Sequence, residues 1–147
     1  MLGKREDSMP ITFHLRPEEK LVISVHTGTT TDDEFIASYK SLYENDLFDR
    51  SMNRLMDLRQ ADTPQISSDT LRQFAELLRG QFTETAANPK VAVVATREFF
   101  FDLARMYEFI TDAVPLDIAV FHSVESALAW FGLPENFMDD LNKEAQQ

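Results

Sequence analysis

The chain has 147 residues, enough for one domain with its own core, and its 44% hydrophobic content is that of an ordinary globular protein. It contains no cysteine, which excludes disulfides, thiolate metal sites and a cysteine nucleophile, and which suits a reducing, cytoplasmic setting. Fourteen basic residues against 25 acidic ones leave a net charge of −11, which repels phosphate backbones and anionic lipid heads, so no nucleic-acid partner is expected.

In chain order, "MLGKREDSM" has two basic residues with no apolar run behind them. It is not a secretory signal, and residues 1–9 are expected to form a flexible N-terminus. No stretch approaches the roughly 20 apolar residues of a membrane span. Ile11 to Leu15 alternates apolar and polar residues, as a half-buried strand does. After the turn "RPEEK", the β-branched run Leu21 to Gly28 predicts a second strand, antiparallel to the first. Thr31 and Glu34 have the spacing of a capping box, and Phe35, Ile36, Tyr39, Leu42 and Tyr43 follow at helical spacing. "NRLMDL", Asn53 to Leu58, predicts the third strand, and a loop containing Pro64 follows it. Ser67 or Ser68 caps the next helix, whose apolar stripe is Leu71, Phe74, Ala75, Leu77 and Leu78.

"KVAVVAT", Lys90 to Thr96, is a continuous apolar run, as expected of a strand covered on both faces. A Phe-rich helix over "REFFFDLARMYEFI" is expected next. At about 100° per residue, Phe99, Leu103, Met106 and Ile110 fall within about 40° of one line and form its core stripe. Phe101 lies at about 200° and Phe109 at about 280°, away from that stripe. These two rings are a candidate interaction surface, for a homodimer, for a partner protein or for the chain's own C-terminal helix. Leu116 to Phe121 predicts the fifth strand, and Ser123 caps "VESALAWF". The order β-β-α-β-α-β-α-β-α describes a single α/β domain with a mixed five-stranded sheet and helices packed on it. Its expected bounds are residues 10–133, with a C-terminal helical extension over 134–147.

Ligands of open α/β sheets bind outside the carboxyl ends of the parallel strands. Those ends supply a candidate polar rim of His26, Asp57, Arg59, Arg97 and His122. A Ser-His-Asp hydrolase built from Ser67, His26 and Asp57 is a minor alternative, because no G-x-S-x-G elbow is present. Three histidines on three different strands make no metal motif, so no metal and no cofactor are expected. "HTGTTT" has one glycine and no following lysine, and so matches no phosphate-binding loop.

The element order resembles the SpoIIAA-like, STAS-type family of anti-sigma-factor antagonists, in particular its uncharacterised subgroup of small bacterial proteins. The resemblance is carried by "NRLMDLRQ", "KVAVVAT" and "IAVFHSVESALAWFGL". It implies a regulatory, protein-binding and non-catalytic domain, with a phospho-acceptor serine at the start of the helix after the third strand. Ser67 and Ser68 stand at that place as candidate phospho or cap sites, but the family's Asp-Ser-Ser-Gly reads Ile66, Ser67, Ser68 and Asp69 here. The departures imply that the phospho-switch is not intact. The resemblance also implies a partner face made of the Ser67 helix end and the Phe-rich helix. Kinship in topology with lipid-transfer domains implies an alternative role, as carrier or sensor of a small apolar ligand held between sheet and helices.

Overall fold

The computed structural model describes residues 10–62, 67–79, 89–96 and 117–139. Five strands form one sheet: β1 (Ile11–Arg16), β2 (Leu21–Gly28), β3 (Asn53–Ala61), β4 (Lys90–Val94) and β5 (Asp117–Phe121). Three described helices accompany them: α1 (Asp32–Tyr43), α2 (Ser68–Arg79) and α3 (Val124–Phe131). The strand order is strictly sequential, with β1 antiparallel to β2 and every later pair parallel. The expected mixed five-stranded α/β architecture is therefore the observed one.

The sequential order decides where the helices go. Parallel neighbours joined by right-handed crossovers place their crossover helices on one face of the sheet. That face carries α1 and α2 over Val22, Met56, Leu58, Val91 and Val93. The opposite face carries α3 and Phe137 over Leu21, Ile23, Leu55, Ala92 and Val94. The inner strands β2, β3 and β4 contribute to both clusters by simple alternation, with Val22 on one and Ile23 on the other, Leu55 on one and Met56 on the other. Val91 to Val94 are all buried, as the apolar run of β4 demands.

The local signals at the helix ends are those of the sequence. Thr31 and Glu34 close a capping box, with Glu34 N–H donating to Thr31 Oγ1 (3.1 Å) and Thr31 N–H donating to Glu34 Oε1 (2.9 Å). Ser123 Oγ accepts from Ser126 N–H (3.2 Å), and Gly132, at φ 80°, ends α3 in the left-handed conformation that glycine tolerates. The β1–β2 connection is a short 3₁₀ turn, Pro17–Glu19, that closes through Lys20.

The strands differ from expectation at their ends. β3 runs on to Ala61, three residues past its apolar pattern, because its polar end pairs with Thr27 and Gly28 of β2. The pairing is not regular there. Val25 opposes Asp57 but Thr27 opposes Gln60, so β3 holds one residue more than β2 across this step. A bulge in a parallel pair is uncommon, and it re-aims the side chains beside it. The Phe-rich segment with Phe101 and Phe109, Arg97, residues 1–9 and the end of the C-terminal extension lie outside the described residues.

Candidate functional site

The carboxyl ends of β2 and β3 and the first turns of α1 and α2 meet at one end of the sheet. Their hydroxyl and carboxyl groups are engaged with one another. Thr29 Oγ1 donates to Asp62 Oδ2 (2.8 Å), and Asp62 N–H donates to Gly28 O (2.9 Å). Ser67 is the N-cap of α2: its Oγ accepts from Thr70 N–H (3.1 Å) and donates to Thr70 Oγ1 (3.2 Å). Ser67 N–H reaches Asp32 Oδ1 (3.4 Å), which ties the start of α2 to the first turn of α1. Asp32, Asp33, Glu34 and Asp69 all lie in these two first turns, where they favour the helix dipoles. A phosphate on Ser67 would displace the cap and sit beside Asp32 and Asp69. Ser67→Ala should cost about 1 kcal/mol of stability. Urea unfolding checks this, and a change below a few tenths would show that the cap is not needed.

The sheet separates two residues that the sequence placed on one rim. Ser24 and His26 follow Val22 on the α1 face, whereas Asp57 follows Leu55 on the α3 face. Asp57 is 3% exposed and forms a two-pronged pair with Arg59, Nε to Oδ1 and Nη2 to Oδ2, both at 2.9 Å. Arg59 N–H donates to the same Oδ1 (3.1 Å), a contact made where the bulge interrupts the ladder. The fork and, secondarily, the charge of Asp57 hold the Arg59 guanidinium above its ordinary pKa. A Ser67–His26–Asp57 relay is thus not assembled: the serine caps a helix, the histidine is buried on one face, and the aspartate is locked on the other. His122 is exposed beyond β5, and His14 is half-buried on β1. Among the described residues no group of three or more His, Cys, Asp or Glu is placed to hold a metal.

The α1 face holds a polar chain that the rim pattern did not reveal. Tyr39 of α1 is 4% exposed, and its hydroxyl donates to Ser24 Oγ (3.2 Å). That hydroxyl also contacts His26 Nε2 at 3.0 Å. With the phenol proton directed at Ser24, the contact needs the His26 tautomer that carries hydrogen on Nε2; with it directed at the ring, Ser24 is the donor to the phenol oxygen. Burial pushes the His26 pKa down to about 4, against a smaller opposing pull from Asp57, so the ring is neutral near pH 7. Burial raises the Tyr39 pKa and takes that of Tyr43 up to about 12, so both phenols stay protonated. Beneath them, Arg54 of β3 is 7% exposed, its guanidinium carbon over the rings of Phe48 (5.2 Å) and Tyr43 (5.6 Å). Ser24, Tyr39, Tyr43 and Arg54 line a cavity of about 40 Å³ between the sheet and the two helices. The sequence did carry one signal for this site: an arginine in "NRLMDL" shares strand parity with Met56 and Leu58, and so must enter the core.

This is an α/β domain of SpoIIAA-like fold, whose polar groups are gathered at one sheet end and beneath one helix. The comparison with solved structures shows the same fold. The chain is similar to the crystal structure of an uncharacterised protein of the DUF3478 family, with a SpoIIAA-like fold, from Shewanella loihica PV-4. The TM-score is 0.55 at 14% identity, over 82% of this chain and 91% of that one. No protein-family model matches the chain, and no curated protein matches it in sequence. Among the described residues no helix is long and apolar enough to cross a membrane.

Proposed function

We propose that the protein is a regulatory domain that acts by binding another protein rather than by catalysis, with the Ser67 end of α2 and the neighbouring first turn of α1 as its recognition surface. One observation carries this. Ser67, Thr31 and Thr29 hold helix ends and loops, while Asp57 is tied to Arg59, so the reactive groups at this end serve the fold. What faces outward is a carboxylate-rich surface that includes Asp33, Glu34, Asp62 and Asp69, which suits a partner with basic groups. The Phe-rich segment with Phe101 and Phe109 belongs to the same proposal as its apolar part.

The test is affinity capture from the native host with the wild type, with Asp33→Lys/Asp69→Lys, and with a control reversal at exposed Glu44. A single partner at stoichiometric yield, lost in the double variant and kept in the control, is the expected result. Equal capture by all three forms would place recognition elsewhere and overturn the surface.

A second proposal, a carrier or sensor of a small apolar ligand, would have to use the cavity under Tyr39. Its volume of about 40 Å³ limits what it holds. Drug-sized ligands occupy roughly 300–1,000 Å³, so in this shape the cavity is far too small for a lipid.

A further inference from the structure

We propose that the cavity beneath α1 is a binding site for a short-chain alcohol of ethanol or propanol size, with its hydroxyl at Ser24 and the tyrosines and its alkyl chain against the aliphatic wall. This rests on the second reading above, in which the cavity takes a guest, and gives that guest a chemical class. Three features of the cavity carry it: a wall of two kinds, a serine that can donate or accept, and a small volume.

The wall is divided. Val22, Met56, Phe74, Leu78 and Val91 are apolar and buried, whereas Ser24, Tyr39 and Tyr43 bring hydroxyls. A buried water needs about two to four polar partners. Water therefore matches the hydroxyl part of the wall and leaves the aliphatic part without a partner. A molecule with one hydroxyl and a short alkyl chain matches both. Arg54 also lines the cavity, its guanidinium carbon over the Tyr43 and Phe48 rings, and a neutral guest makes no demand on its charge. An ammonium of the same size would meet a like charge there.

The hydroxyl group is selected by the Ser24–Tyr39 contact of 3.2 Å. Where the phenol donates, the serine proton is left for a guest. Where the serine donates, its oxygen still has a lone pair for one. An alcohol both donates and accepts, so either arrangement satisfies it, whereas a carbonyl compound only accepts and is satisfied by one. Burial takes the Tyr43 pKa up to about 12, so its phenol also stays a neutral O–H.

The volume sets the chain length. One water needs about 10–15 Å³, so about 40 Å³ accommodates roughly three or four heavy atoms. Ethanol and the propanols fit, whereas hexanol, fatty acids and sugars do not.

The experiment uses 1-propanol as the probe, with 1-hexanol and dissolved xenon as comparisons, on the full chain labelled at its methyl groups for NMR. The methyls of Val22, Met56, Leu78 and Val91 report on the cavity, and those of Val124 and Leu128 report on the opposite face. Propanol should shift the cavity methyls along a saturating curve and leave the others in place, and hexanol should not. Ser24→Ala should raise the propanol midpoint several-fold while keeping the xenon shifts, because xenon needs no hydroxyl. Tyr43→Phe, which keeps the ring, is the second variant should Ser24→Ala fail to fold, and the same rise is expected. Shifts that grow linearly on both faces, or a propanol midpoint unchanged in the variants, would overturn the site. Xenon binding without propanol binding would overturn the alcohol and leave an apolar guest standing. Silence from both would overturn the alcohol and the second reading together.

Discussion

Stability should fall as the pH drops through the range from 6.5 towards 4, and His26 should account for much of the loss. The ordinary pKa of the ring is 6.5, and burial takes it to about 4 in the folded protein. Between those values the unfolded chain binds a proton that the native chain does not, so stability rises with pH across the window. The contribution is complete above about pH 6.5 and gone below about pH 4. A gap of about 2.5 pH units corresponds to roughly 3 kcal/mol at about 1.4 kcal/mol per unit. The groups around the ring agree with the sign. Tyr39 faces it with a neutral phenol, and Asp57, on the far side of the sheet, offsets only part of the burial. His26→Gln keeps an N–H for the Tyr39 oxygen and cannot titrate. Denaturant unfolding of both forms between pH 7.5 and 4.5 isolates the term, because other carboxylates titrate alike in each. Over that window the difference between the two curves should change by about 2.5 kcal/mol, and parallel curves would show that His26 is solvated.

Phe35→Ala should be the most damaging truncation on the α1 face, at about 3–5 kcal/mol. Phe35 is 1% exposed and sits where α1, α2 and the sheet meet. Its ring lies 4.9 Å from Phe74 and 5.2 Å from Tyr39, and Tyr39 in turn lies 5.3 Å from Phe13 of β1. Removing it opens a cavity among three rings and loosens the helix that carries the Ser24–Tyr39–His26 chain. With total stabilities of about 5–15 kcal/mol typical of single domains, this is a fifth or more of what holds the chain folded. Phe74→Ala shares the same contact, so the double variant should fall short of the sum of the two singles. Leu128→Ala, on the opposite face, should add to either. The check is urea unfolding of the wild type, the three single variants and the three pairwise doubles. A loss below about 1 kcal/mol for Phe35→Ala would contradict the ring cluster.

What could be read from the sequence was local. The Thr31–Glu34 box, the Ser67 and Ser123 caps and the unbroken apolar run of β4 involve neighbours within a few positions, and each stands where the spacing put it. The five-stranded sheet followed from the alternation of these elements. The candidate site was legible only as a set of residues, not as an arrangement. The predicted strands put His26 and Asp57 both near their carboxyl ends, but strand parity sends them to opposite faces. The bulge that brings Arg59 onto Asp57 is a register event between two strands and has no mark in either alone. The Tyr39–Ser24 bond spans 15 residues and depends on how α1 seats on β2. Arg54 is visible in strand parity, but the apolar run around it carries no mark of a polar site.

The unpermuted strand order has one more consequence, and it concerns time rather than space. Each of β2 to β5 takes as its ladder neighbour the strand made immediately before it. No strand has to wait for sequence still unmade before its inner edge is paired. As the chain emerges from its N-terminus, the growing edge of the sheet is always the latest strand. The chain's long-range topology is in this sense assembled from nearest-neighbour steps.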